Sequence, residues 1–464
     1  MINKFLTKFN TEAEYNEFLN SNLCPYINVS YIQATDENKY YKEEDALMMQ
    51  PFTLHIDRLS NGNSVPLCFI VQQDPTNSGV QSYCRYKINN NNWETFTFTF
   101  NNDNWKGDDN RQLYEGDTVQ IICKTNSFVA ITASREKYDL QCSISGNIMS
   151  LFWGDDYIYA PANKLPFPLI PYNASGTKID YIHIDNLIEG TQYLIDASDL
   201  WLPTKNLPEG IFREMFKDYT DLTAGPDIKA KYLPKNACNS MFAGCASLTD
   251  MPNILAETTE ANSLDSMFSG CTSLVNTTQL HIKDIIGAPS MNFMFTYCTS
   301  LVTAPIWDED VIFNYNIDDY YWDNMVYIFD NCSSLVDASP FYIRANDIHI
   351  FEQGFSGVVR ACSSLQYTIR FGTSSNPAPD RDFTLTTYFP DTSLVSNAKL
   401  YLLMTTGAIT VSDADPSLWA NGGTVYVLPG SRYLPGGDLY GQLPTNLPSN
   451  WTVAEYVEPN TSNQ

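Results

Sequence analysis

The sequence predicts a mainly β protein with short helices: an N-terminal segment, an antiparallel β-sandwich, then a repeat solenoid closed by a β cap. Three observations carry this. The stretch "NSMFAGCASL" at 239–248 returns as "DSMFSGCTSL" at 265–274 and goes on returning. Residues 52–160 hold short alternating runs separated by Asn, Asp and Gly turns, the pattern of antiparallel strands. After the repeats, the chain alternates again through "NAKLYLLMTTGAITVSDADPSLWANGGTVYVLPGSRY".

The first segment is residues 1–50. Thr11 and Glu14 form a capping box that predicts a short helix through about Leu19. "YINVSYIQATDENKYYK" at 26–42 then alternates like a strand pair. A segment this short cannot bury enough surface to stand alone. It must pair with the β domain, with copies of itself, or with another protein. Residues 51–160 form the sandwich. "YCRYKINNNNWETFTFTF" at 83–100 reads as two strands around an Asn-rich turn, and "GDTVQIICK" and "DLQCSISGNIMSLFWG" continue the series. Residues 161–195 are a connector.

The solenoid occupies 196–371. Aligned on cysteine, its words are Met241, Phe242, Cys245, Leu248; Met267, Phe268, Cys271, Leu274; and Met294, Phe295, Cys298, Leu301. Looser copies follow at Ile328, Phe329, Cys332, Leu335 and at Val358, Val359, Cys362, Leu365. A degenerate copy precedes them at Met215, Phe216, Tyr219, Leu222. The steps between slots are 26, 26, 27, 34 and 30 residues, a period of stacked coils that each contact only their neighbours. Met, Cys and Leu at i, i+4 and i+7 predict one apolar face of a short helical segment. Stacking then puts Phe on Phe, Cys on Cys and Leu on Leu. A slot that accepts Tyr219 wants a buried side chain, so the cysteines read as structural. Eleven cysteines, with no CxxC pair, point away from a disulfide framework. Residues 372–464 supply terminal coils and the cap, which a solenoid needs over its last apolar face.

The words resemble the BspA-like class of bacterial leucine-rich repeats, whose coils carry a phenylalanine, a glycine–cysteine pair and a following leucine. The run "DASDLWLPTKNLPEGIFREMFKDYTDL" at 196–222 resembles the first coils of repeat proteins of gut Bacteroidales and their phages. The series "INNNNWETF", "EGDTVQI", "SGNIMSL" is similar to the β domain ahead of those repeats, and "LPSNWTVAEY" looks like their terminal cap. "FNTEAEYNEFLNSNLCPYINVSYI" looks like the leader of phage structural proteins. The resemblance implies a leucine-rich-repeat solenoid on a virion fibre or decoration protein. Its N-terminal segment would attach to other virion proteins, and its copies would assemble as a homo-oligomer, by analogy a trimer. The outward surface would meet a glycan or a host surface protein. A bacterial surface adhesin and a fibre-borne polysaccharide depolymerase are the alternatives.

The chemistry of the sequence agrees with a non-enzymatic role. A formal charge of -26 repels nucleic acid and anionic membranes. No window is long and apolar enough to span a membrane, and the N-terminus lacks the apolar core of a signal peptide. Synthesis in a cytoplasm is therefore expected, and the resemblance implies the virion as the final place. No GxSxG, P-loop, GxGxxG or HExxH is present, and His55, His183, His281 and His349 are isolated from one another. No cofactor or metal is expected. One coil is enlarged, reading "WDEDVIFNYNIDDYYWDN" at 307–324. It gathers Trp307, Tyr315, Tyr320, Tyr321 and Trp322 among Asp308, Glu309, Asp310, Asp318, Asp319 and Asp323. Aromatic plates with flanking carboxylates suit a sugar, and insertions project from solenoid faces. A subunit interface and plain packing on the solenoid are the other readings of this insert.

Overall fold

The chain is mainly β with almost no helix, and it contains a β-solenoid of about six turns. The computed structural model describes residues 33–34, 39–40, 50–59, 64–72, 83–96, 99–101, 104–124, 129–132, 140–154, 193–204, 207–286, 291–307, 312–314, 326–343, 357–372, 382–384, 394–411 and 419–457. Two compact units result: residues 1–241 with 252–256, and residues 242–251 with 257–464.

In the first unit, β1 (Gln33–Ala34) pairs antiparallel with β2 (Lys39–Tyr40), where the sequence predicts a strand pair. The helix expected at 11–19 lies outside the described residues. Among the described residues nine strands follow: β3 (Phe52–Leu59), β4 (Val65–Gln72), β5 (Tyr83–Ile88), β6 (Glu94–Phe96), β7 (Thr99–Asn101), β8 (Asn104–Leu113), β9 (Thr118–Lys124), β10 (Val129–Thr132) and β11 (Leu140–Asn147). They make two antiparallel sheets, ordered β10-β4-β8-β7 and β11-β3-β9-β5-β6. The hairpin predicted around the Asn-rich turn is β5–β6, with Cys84 opposite Phe96. Asn89 at its start takes φ 52°, a conformation asparagine tolerates well.

Alternation along β11 buries Leu140, Cys142 and Ile144 and leaves the residues between half exposed. On the neighbouring strands Cys84 and Cys123 stand directly opposite and are joined by a disulfide. A short helix, α1 (Ser150–Trp153), is anchored by the buried Ser150 hydroxyl. It accepts from the Phe52 N–H and donates to the Ile121 carbonyl, both at 2.8 Å. Two short strands, β12 (Leu194–Asp196) and β13 (Leu200–Trp201), then run parallel to β11. The first repeat word and β14 (Tyr232–Leu233) come after them.

The second unit shows how a repeat word folds, and it corrects the helical expectation. The words are chains of tight turns. Within the first word of this unit, the Cys245 N–H bonds the Phe242 carbonyl and the Leu248 N–H bonds the Cys245 carbonyl. The N–H groups of Phe242 and Gly244 turn outward to Met267 and Ser269 of the next coil. The same pattern sends Phe268 and Gly270 to Met294 and Thr296, then Phe295 and Tyr297 to Ile328 and Asp330. A helix cannot do this, because its N–H groups all point along its own axis. A residue with positive φ just before the Met slot and another just before the Cys slot break that alignment: Ser266 and Gly270, Phe293 and Tyr297, Tyr327 and Asn331, Gly357 and Ala361. The backbone therefore repeats every four residues, close enough to 3.6 that an eight-residue apolar pattern fits either.

Buried ladders run through these turns. Phe242, Phe268, Phe295 and Phe329 are wholly buried and stacked, with centroids 5.6, 5.5 and 5.4 Å apart and planes within 10°. Each burial contributes about 1.5–3 kcal/mol. The cysteine ladder has a specific task. Each thiol donates to the phenylalanine carbonyl one coil back: Cys271 to Phe242 at 3.2 Å, Cys298 to Phe268 at 3.2 Å, Cys332 to Phe295 at 3.0 Å and Cys362 to Phe329 at 2.9 Å. That carbonyl already accepts the turn bond, so the thiol occupies its second lone pair.

Between the words run short parallel strands: β15 (Thr258–Glu260), β16 (Asp284–Ile286) and β17 (Ile312–Asn314), with Thr258, Asp284 and Ile312 in line. Later come β18 (Tyr342–Ile343), β19 (Tyr367–Phe371), β20 (Phe383–Thr384), β21 (Ala398–Leu402), β22 (Ile409–Thr410), β23 (Gly423–Val427) and β24 (Thr452–Glu455). β18-β19-β21-β23-β24 form one parallel sheet and β20–β22 a parallel pair. The C-terminal alternation is thus strand, as predicted. Trp419 and Trp451 close its core, the Trp451 indole donating to the Trp419 carbonyl at 2.8 Å.

Candidate binding surface

With the Met, Phe, Cys and Leu slots sealed, what the solenoid can present is set by the turn positions between them. Burial pushes the Cys271 and Cys362 thiols up to about 12 and raises Cys298 and Cys332 well above the ordinary thiol value. These cysteines stay protonated donors, as a structural role requires, and are not nucleophiles.

The two positive-φ slots stand outside the buried Met, Phe, Cys and Leu slots, though Gly357 in the last word is itself buried. In the word at 265–274 they hold Ser266 and Gly270, but in the next word they hold Phe293 and Tyr297. Phe293 is 39% exposed and Tyr297 53% exposed. Tyr327 takes the corresponding slot one coil later, and its ring stacks on Phe293 with centroids 5.5 Å apart. The other side of Tyr327 is closed: the Arg360 guanidinium lies 4.5 Å from its centroid. Gly357 sits so close that a Cβ there would fall 2.3 Å from the ring. Arg360 is fixed in turn by a two-bond pair to buried Asp330, Nε to Oδ1 and Nη2 to Oδ2, each at 2.7 Å. Aromatic residues at positive φ cost about 1 kcal/mol or more apiece. The sequence comparison that exposes them is between words, at slots where serine and glycine serve elsewhere.

The residues singled out in the enlarged coil fare differently. Trp307 is a core residue, 1% exposed, edge-on to Phe341, with its indole N–H donated to the Ile282 carbonyl at 3.2 Å. As a ligand contact it is corrected to packing: the ring fills the coil interior, and its one polar atom is already satisfied. Asp308, Asp310, Tyr315, Asp318, Asp319, Tyr320, Tyr321, Trp322 and Asp323, with Glu309, lie outside the described residues. The residues of the repeat core, from Met215, Phe216, Tyr219 and Leu222 to Cys362 and Leu365, are all buried.

Of the histidines, His55 bonds the Ser145 hydroxyl through Nε2 at 2.8 Å across β3 and β11. His183 and His349 lie outside the described residues. No group of three or more His, Cys, Asp or Glu side chains that could hold a metal occurs among the described residues. No described helix is long and apolar enough to cross a membrane. Compared with protein-family models, curated proteins and solved structures, the chain matches none.

Proposed function

We propose that this chain is a non-enzymatic display and binding protein, a fibre or decoration component of a phage virion with BspA-like leucine-rich repeats. One observation carries the binding role. Successive words keep their buried Phe, Cys and Leu slots nearly constant, while the outward slots change from Ser and Gly to Phe and Tyr. A fold that holds its interior fixed and varies its surface coil by coil suits recognition.

The virion assignment rests on the resemblance of the repeats, the β domain and the leader. In this reading the two antiparallel sheets form a sandwich, residues 1–50 attach to other virion proteins, and residues 372–464 cap the solenoid. The copies form a symmetric homo-oligomer, a trimer by analogy. The Cys84–Cys123 disulfide supports a protein that works outside a reducing cytosol. The ligand is a glycan or a protein of the host surface. Mass spectrometry of gradient-purified particles tests the assignment. Peptides of this chain at constant stoichiometry to the major capsid protein are expected. Their absence from particles, with the chain recovered on the bacterial surface, would replace the virion reading with the adhesin one.

A further inference from the structure

We infer that the step between the word at 265–274 and the word at 292–301 is a binding site for a neutral glycan, with Phe293 and Tyr297 as its stacking platform. The inference rests on the binding role proposed above but not on the virion assignment.

The chain pays for these two rings in backbone conformation. Phe293 and Tyr297 hold φ 58° and 60°, where the preceding word uses Ser266 at 53° and Gly270 at 76°. Bulky side chains at positive φ are outliers that folding alone does not favour. Neither ring is used to seal the core, since both are exposed. Phe293 is held rigid from one side only. Tyr327 stacks against it, and Tyr327 is itself clamped by Arg360 and pressed against Gly357. The other face of Phe293 is therefore turned to the side of the preceding coil, where the slots carry Ser266 and Gly270 and no ring among the described residues stacks on it.

A rigid aromatic wall beside a floor of small residues has the shape of a sugar site. The C–H face of a pyranose stacks on the ring, and hydroxyls such as those of Ser266 and Tyr297 take its polar edge. Charge selects the class. At -26 overall, the chain repels anionic polysaccharides and nucleic acid. Arg360, the cation beside the stacked rings, is already engaged by Asp330.

Affinity electrophoresis of the full chain tests this, in gels containing mannan, dextran, arabinogalactan or xyloglucan, with hyaluronate as the anionic control. The partner is the double variant Phe293→Ser, Tyr297→Gly, which copies the preceding word. Retardation by at least one neutral polymer is expected, weakened about tenfold or more in the variant. The variant should melt at or above the parent temperature, because it removes two strained residues. Tyr297→Phe, which keeps the ring, should retain most of the binding. Retardation that the double variant leaves intact would overturn this site while the binding role stands. Retardation by hyaluronate alone would overturn the ligand class. No retardation in any gel would overturn both the site and the binding role in its glycan form.

Discussion

Asp265 offers a sharp test of the turn-ladder structure. It precedes the positive-φ Ser266 and accepts the Asn292 N–H at 2.9 Å, in a position that the neighbouring words fill with Asn239 and Asn292. Asn292 does the same job one coil on, accepting the Val326 N–H at 2.9 Å. A carboxylate is not needed there, and burial penalises it, pushing the Asp265 carboxyl from 3.8 up to about 7 against the lowering effect of the backbone bond. The folded state thus holds the proton more tightly than the unfolded chain does. That stabilisation is fully present below about pH 4 and is lost as pH rises through about 7. The gap of about three pH units corresponds to a ceiling of about 4 kcal/mol, and the measured share should be about 1–2 kcal/mol once local relaxation is allowed. Asp265→Asn keeps the acceptor and removes the titration. In thermal melts from pH 4 to 8, parent and variant should nearly coincide at the acid end. They should separate towards neutrality, the variant gaining about 3–6 °C by pH 8. Other titrating groups cancel in the difference. Parallel profiles, or a variant less stable at pH 8, would refute the buried carboxylate and the ladder that buries it.

Three further outcomes follow from the same ladders. Iodoacetamide at pH 8 should leave Cys271 and Cys362 unmodified in the native protein and label both after denaturation, as peptide mass spectrometry would show; native labelling would contradict their burial. Phe268→Ala removes the middle ring of a continuous stack and should cost about 3–5 kcal/mol in denaturant melts, against under 1 kcal/mol expected of an exposed residue. Gly357→Ala adds a methyl both at positive φ and against the Tyr327 ring, and should cost about 1–3 kcal/mol, with the ring displaced in aromatic NMR shifts.

Much of this was legible in the words themselves. The ladder residues, the β5–β6 hairpin and the C-terminal strands follow from periodicity and turn chemistry, which act over a few residues. The helical reading of the word fails for a definite reason. Positions i, i+4 and i+7 fall on one face in a helix of 3.6 residues per turn and in a turn chain of four. What separates the two is the hydrogen-bond direction at Gly244 and Gly270, and glycine before cysteine is its sequence trace. The pairing of Cys84 with Cys123 depends on the β5–β9 register, set by partners 39 residues apart. Trp307 misled because it opens an insert rich in aromatics and acids. Only the fold shows that it still belongs to the coil before that insert, paired with Leu280 and packed on Phe341.

The thiol ladder also explains how the surface can vary at all. In each coil the Phe carbonyl takes two donors, one from its own turn and one from the next coil's cysteine. The backbone of the word is therefore held by groups that face inward. What the outward slots share is a demand for positive φ. Glycine, serine and asparagine meet that demand cheaply, and an aromatic residue meets it at about 1 kcal/mol or more. The buried ladder offsets such a cost, since each of its phenylalanines contributes about 1.5–3 kcal/mol. The interior can thus carry a strained surface without losing the fold. Such strain persists only where the surroundings over-determine it, and Phe293 and Tyr327 are held in that way, by each other and by the Asp330–Arg360 pair.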